Sequence, residues 1–477
     1  QSPPPTSATH VAVPVSSPRA MAALHHLVLP HRLLSGHGPP PVLRFSRRPR
    51  PLLHLLPCAA AAATRASAAA TAVTAPSDAA LQDFRRWLSS QGAETGSVAP
   101  AVVPEGLGLV AARDLPRGEV VAEVPKKLWL DADAVAASDL GRVCGSGGDL
   151  RPWVSVSLLI LREAARGGDS LWAPYLAILP RQTDSTIFWS EEELLEIQGT
   201  QLLSTTMGVK ESRVFPELRG DKLALIPFAD LINHNGDITS KESCWEIKGK
   251  GFLGRDTVFS LRTPTEVKSG EQIYVQYDLD KSNAELALDY GFTEANSSRD
   301  SYTLTLEISE SDPFYEDKLD IAELNGMGET AYFDVVLGES LPPQMITYLR
   351  LLCLGGTDAF LLEALFRNKV WEHLELPVSR DNEESICQVI QNACKSALAA
   401  YHTTIEEDEE LLEREDLQSR QQIAIEVRVG EKKVLEQIND IFKEREQELD
   451  DLEYYQERRL KDLGFIGDNG DIIFWES

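Results

Sequence analysis

The sequence predicts an α+β protein, with a β-rich middle interrupted by a helical insert and a helical C-terminal region. Three observations predict it. Short apolar runs within 107–124 and 223–276 are separated by Pro/Gly turns, as strands are. Between them, Val154 to Ala165 is apolar on a helical stripe. Beyond residue 345 the apolar spacing is helical almost to the end. With 477 residues, 43% hydrophobic and 25% charged, the chain can bury a sizeable core in two or three domains.

Lys plus Arg number 46 and Asp plus Glu 74, a net charge of −28. That sign argues against nucleic acid or an anionic membrane as partner and favours a basic one. The six cysteines form no close cluster, which disfavours a disulfide framework or a structural zinc site and points to a reducing compartment. No apolar run approaches the ~18 residues of a membrane helix, so no membrane partner is expected. The charge is uneven: residues 1–77 hold seven Arg, no Lys and no acid, with Pro39-Pro40-Pro41 and Arg47-Arg48-Pro49-Arg50. This composition reads as a transit peptide, the alternative being a disordered basic arm. The twenty residues before Met21 read as translated upstream sequence. Composition alone does not separate chloroplast from mitochondrion.

The elements follow in order. Leu81, Phe84 and Leu88 mark a short amphipathic helix. Leu107 to Ala112 and Glu119 to Val124 are predicted strands joined by the turn 114–118, of a kind that links antiparallel neighbours. Gly106 to Ala111 matches G-x-G-x-x-A, but a dinucleotide fingerprint must open a helix, and here a Pro/Gly turn follows at once. Residues 150–203 read as helical, with Glu191 to Leu203 one acidic helix after Ser190 as N-cap. Strands are predicted at Leu223 to Phe228, Cys244 to Lys248, Thr257 to Leu261 and Gln272 to Gln276. Helices are predicted at Ile346 to Leu354, Ala359 to Phe366, Glu383 to Tyr401 and Ile423 to Leu463, the last ending at Gly464. The acidic run 403–410 reads as a solvated helix start or loop.

Two segments place polar groups in apolar surroundings: Ile226 to Asn235, containing Asp230, Asn233 and His234, and Glu271 to Tyr277, followed by Asn283 to Phe292. Buried polar groups need partners or a ligand. Metal binding by Asp230 and His234 lacks further ligands at suitable spacing. Ser/His/Asp hydrolysis lacks a G-x-S-x-G elbow.

The early G-L-G strand, the DLINHN segment, the G-E-Q-I-Y-V-Q-Y strand and the closing A-L-D-Y-G-F resemble the successive motifs of a SET domain. From about Leu81 onward the chain is similar to the plant Rubisco large-subunit and fructose-bisphosphate aldolase lysine methyltransferase group. The resemblance implies a SET domain over 78–300 with a pseudoknot and a helical insert at about 131–222, then an all-helical substrate-binding domain over 301–477. It implies an S-adenosyl-L-methionine-dependent protein-lysine N-methyltransferase of the chloroplast stroma, monomeric, acting on Rubisco large subunit, plastid aldolase or both. It further implies that Glu105, Gly106, Leu107, Gly108, Arg213, Asn233, His234 and Phe292 bind the cofactor. Tyr277 would be catalytic. Ser212, Arg213, Asp230, Trp245, Tyr277 and Tyr290 would line the substrate side.

The chain also departs from that pattern. A helical stretch of the family is missing between Glu211 and Ser212, Glu217 replaces a basic residue, and Trp245 replaces a tyrosine. A splice variant or faulty gene model would explain the gap. The competing expectation is therefore a shortened SET protein without catalysis that acts as a protein-binding module.

Overall fold

Ser77 caps the first helix, α1 (Asp78–Ser90), by accepting from the Ala80 N–H at 3.3 Å, and Leu81, Phe84 and Leu88 are its buried face. The computed structural model describes residues 27–28, 44–45, 75–145, 152–180, 183–206, 223–238, 244–250, 256–295, 297–363, 366, 369–414 and 416–465. Of the leader expected over residues 1–77, only the antiparallel pair Leu27–Val28 and Arg44–Phe45 and residues 75–77 are described; the rest lies outside the described residues, as do Ser212, Arg213 and Glu217.

The first strand, β1 (Val98–Val103), is missing from the sequence reading because Pro100 and the nearby glycines look like punctuation. It forms because it lies at a sheet edge, where the absent proline N–H breaks no ladder. It pairs antiparallel with β2 (Gly106–Ala111), a strand and no helix start, as the rejection of a dinucleotide fold requires. The turn after β2 does not make the expected hairpin: β3 (Val120–Pro125) belongs to a different sheet. Leu115 is fully buried and exchanges backbone bonds with Val267 at 2.8 and 2.9 Å, and Gly118 N–H reaches Thr263 O at 2.8 Å, so distant residues hold the turn.

In the insert, α2 (Pro152–Arg166) is helical as expected. The single helix expected from Glu191 is two, α3 (Glu191–Glu196) and α4 (Gln201–Thr205). Gly199 breaks it, with φ +95° and the Ala400 carbonyl 2.8 Å from where a Cβ would stand. Ser190 does cap α3, in a capping box with Glu193. The strand expected over Leu223 to Phe228 shrinks to Ala224–Leu225, paired with Leu130–Asp131. Beyond it the backbone turns at Phe228 (φ 81°) into β4 (Asn233–His234). β5 (Trp245–Lys250) and β6 (Asp256–Arg262) complete the sheet of β3, in the order β3-β6-β5.

β7 (Gln272–Val275) is the crossing point. It lies antiparallel to β2, with Gln272 opposite Val110, and parallel to β4, with Tyr274 opposite Asn233 and Val275 opposite His234. The sheet order β1-β2-β7-β4 thus brings together segments more than a hundred residues apart, as the resemblance implies.

After α5 (Asn283–Asp289), the helical C-terminal region opens on an antiparallel ladder absent from the sequence reading, β8 (Ser301–Glu307) with β9 (Thr330–Val336). The helices α6 (Met345–Leu352), α7 (Arg380–Leu398), α8 (Ile405–Leu412), α9 (Ser419–Gln447) and α10 (Tyr455–Asp462) follow. The helix expected at Ala359 to Phe366 is a 3₁₀ segment, Gly356–Leu362. The long terminal helix breaks after Gln447, because Leu449 turns into the core and Tyr455 N–H reaches back to Val378 O at 3.0 Å. The acidic run is α8, and it is not wholly solvated. Asp408 is fully buried, accepting from Arg428 (2.6 and 3.1 Å) and Lys432 (2.7 Å) on α9.

Three apolar clusters result. Among the described residues, one joins α1 to the three- and four-stranded sheets, and one packs β8 and β9 under α6, α7 and α9. The third, with Trp189, Ile197, Leu202, Leu288, Ile423 and Val427, fastens insert, α5 and α9 to one another.

Candidate active site

The site grows from β2, β4 and β7. Gly108 on β2 has no side chain where a Cβ would stand 2.2 Å from Gln272 Oε1 and 2.9 Å from Asn233 Nδ2. Through that gap Asn233 Nδ2 donates to Gln272 Oε1 (2.6 Å) and to Leu107 O (3.3 Å). Gln272 Nε2 in turn donates to Glu105 Oε2 (3.1 Å) and to the Tyr274 hydroxyl (2.6 Å), which donates to Glu105 Oε1 (3.3 Å). Gly106, at φ +113°, makes the turn that sets Glu105 above the sheet edge.

At the other end of β4 the rings gather. His234 lies 5.2 Å from Tyr277 and 4.9 Å from Phe292 between centroids, and Tyr277 lies 4.8 Å from Tyr290. The Tyr277 hydroxyl donates to Ile232 O at 2.8 Å. His234 Nδ1 accepts the Tyr277 N–H at 3.2 Å, and its Nε2 meets Glu294 Oε1 at 2.5 Å. Burial holds the imidazole below its ordinary pKa, with Glu294 pulling the other way, so the ring is neutral and carries its proton on Nε2.

Of the residues singled out in the sequence, Glu105, Gly106, Leu107, Gly108, Asn233, His234, Tyr277, Tyr290 and Phe292 converge here. Asp230 is buried at the approach to β4 and accepts from the Tyr175 hydroxyl at 2.7 Å. Trp245 is in the three-stranded sheet, stacked on Phe259 at 5.5 Å. Sequence reasoning missed Gln272, Tyr175 and Glu294 as site residues. Glu294, two positions after Phe292, carried no signal in the sequence that set it apart from the other acids. A cavity of about 500 Å³ lined by Lys126, Asp133, Arg162 and Trp172, among others, contains none of these groups.

Two family models match the chain, the SET domain over 106–278 and the Rubisco LSMT substrate-binding domain over 309–435. The Arabidopsis thaliana [fructose-bisphosphate aldolase]-lysine N-methyltransferase, chloroplastic, is 57% identical over 437 residues, covering 83% of this chain and 90% of its own length. The chain belongs to the SET-domain protein-lysine N-methyltransferases. The Nicotiana tabacum ribulose-1,5 bisphosphate carboxylase/oxygenase large subunit N-methyltransferase, chloroplastic, is 56% identical with the same share of this chain and 88% of its own. A crystal structure of the SET domain of LSMT bound to lysine and AdoHcy superposes with a TM-score of 0.76 at 52% identity, covering 82% of this chain and 97% of that one. The cofactor of this methyltransferase family is S-adenosyl-L-methionine, and the carboxylate of Glu105, at the turn before β2, and the ring of Phe292 suit a cationic, aromatic ligand of that kind. The 437 aligned positions use only 83% of the 477 residues, so about forty positions of these methyltransferases have no counterpart here.

Proposed function

We propose that this methyltransferase acts in the chloroplast stroma as a monomer, on Rubisco large subunit, plastid fructose-bisphosphate aldolase or both. The observation that carries the reading is the aromatic cluster of His234, Tyr277, Tyr290 and Phe292 set beside the Glu105-Gly108 edge by β7. Glu105 to Gly108, Phe292 and, mainly through their main chain, Asn233 and His234 hold S-adenosyl-L-methionine. The bound cofactor supplies an electrophilic methyl group. The acceptor lysine has to arrive as the neutral amine, since ammonium has no lone pair, and an aromatic channel lined by Tyr277 and Tyr290 favours that form by desolvation. The Tyr277 hydroxyl orients the amine in line with the methyl group, and the main chain near Asp230 accepts weak C–H···O contacts. The region over 301–477 holds the protein substrate, consistent with its match to a substrate-binding family model. The transit peptide over 1–77 directs the chain to the plastid. Ser212, Arg213 and Trp245 complete the substrate side.

A second reading, a binding module without catalysis, is favoured by the roughly forty positions that the relatives have and this chain lacks. One experiment separates the two. The full chain is given labelled S-adenosyl-L-methionine and stromal protein, with Tyr277→Phe as control. Labelling of Rubisco large subunit or aldolase that falls at least tenfold in the variant, with cofactor affinity kept, is the expected result. Cofactor binding without labelling, restored by inserting the relatives' segment before Ser212, would establish the binding module.

A further inference from the structure

Glu294 has no place in the reading above, yet His234 rests on it. Its own position is fixed from several sides. The side chain of Asn283 brackets its backbone, Oδ1 accepting the Glu294 N–H at 2.8 Å and Nδ2 donating to the Glu294 carbonyl at 3.0 Å. Arg299 forms an ion pair with its carboxylate. Gly236 leaves room for it, since a Cβ there would lie 2.7 Å from Oε1.

We propose that Glu294 is a positioning residue for methyl transfer: by accepting the His234 Nε2 proton it locks the imidazole in the orientation whose bare Nδ1 receives the Tyr277 backbone N–H, and so places the Tyr277 ring and hydroxyl. This rests on the lysine-methyltransferase reading of the site. A neutral imidazole has one N–H and one bare nitrogen. A carboxylate only accepts and a backbone N–H only donates, so one tautomer in one ring orientation satisfies both neighbours. Without the carboxylate the ring keeps a single hydrogen bond, the 3.2 Å contact to Tyr277, and loses the partner that fixes Nε2. The same ring packs against Tyr277 and Phe292, so its orientation passes directly to the residue that meets the amine.

The test uses the full chain with Glu294→Ala, Glu294→Gln and Arg299→Ala. Glu294→Ala is expected to lower kcat about tenfold or more while the calorimetric Kd for S-adenosyl-L-methionine moves less than about threefold. In ¹H–¹⁵N spectra His234 is expected to show the Nε2–H tautomer in the native chain and averaged ring shifts in that variant. Glu294→Gln, whose amide oxygen still accepts from Nε2–H, should recover most of the rate and the native ring signals; it also answers the question should the alanine variant not fold. Unchanged kcat in Glu294→Ala overturns the proposal, as does a loss in Arg299→Ala and Glu294→Gln equal to that in Glu294→Ala, which would make the ion pair the reason for the residue. If the native chain transfers no methyl group, the functional reading has failed, and the ring spectra still decide whether Glu294 sets His234.

Discussion

At the scale of single residues the site depends on absent atoms as much as on present ones. Gly108→Ala would push a Cβ into Gln272 and Asn233 and part the hydrogen bonds that join β2, β4 and β7. Its expected effect is a loss of cofactor affinity of about tenfold or more, read by calorimetry, since one displaced buried hydrogen bond is worth about 1.4 kcal/mol or more. His234 offers a second check. Burial disfavours its protonated form, so its folded pKa lies below the ordinary one, and the chain gains stability from the neutral ring above the ordinary pKa that it loses as pH falls toward the folded value. An NMR titration of His234 should accordingly give a midpoint below about 6.5. The types of these residues were legible in the sequence, because Asn233 and His234 stand in an apolar stretch that must satisfy them. Glu294 was not, because one acid among 74 announces nothing until the fold sets it against a ring.

Among the elements, the long helix α9 carries the most unusual cargo. Arg428 and Lys432 are buried on it, held by Asp408 of α8, while Arg428 Nη1 also donates to the Glu196 carbonyl of α3 at 2.5 Å. Removing one member strands buried charge, so Asp408→Ala should cost about 3–5 kcal/mol in chemical denaturation, far more than Glu409→Ala on the exposed side of the same acidic run. The sequence showed that run as eight residues of a solvated kind, since charge patterning does not say which carboxylate faces inward. Element boundaries failed for similar reasons. Gly199 and Leu449 break helices whose apolar spacing runs on, because the chain must make room for Ala400 or return to Val378. Pro100 hid a strand that only its edge position permits.

Across the whole molecule, Glu431 of α9 reaches the insert, accepting from Gln201 N–H at the start of α4 (2.9 and 3.1 Å) and from the Tyr401 hydroxyl (2.7 Å). Burial raises its pKa to about 7. A carboxyl raised in the folded state stabilises fully below its unfolded pKa and loses that contribution as pH rises to the folded value, here from 4.5 to about 7. Thermal unfolding at pH 5, 6, 7 and 8 should show stability falling by up to about 1.4 kcal/mol per pH unit in that window, with the slope reduced in Glu431→Gln. A slope identical in the two chains would show that Glu431 is not the titrating group. By itself the sequence determined the fold class, because burying apolar runs at period 2 or 3.6 and satisfying polar groups among them are local demands that each segment states in its own residues, while the order of its motifs, through their resemblance to those of SET domains, implied most of the residues that meet at the site. Which strands became neighbours, why the turn after β2 did not close a hairpin, which acids went inside and how Glu294 came under His234 were decided only by the tertiary structure. Those outcomes depend on what a distant segment offers, as β7 does when it inserts between β2 and β4 and takes the edge that a local hairpin would have used.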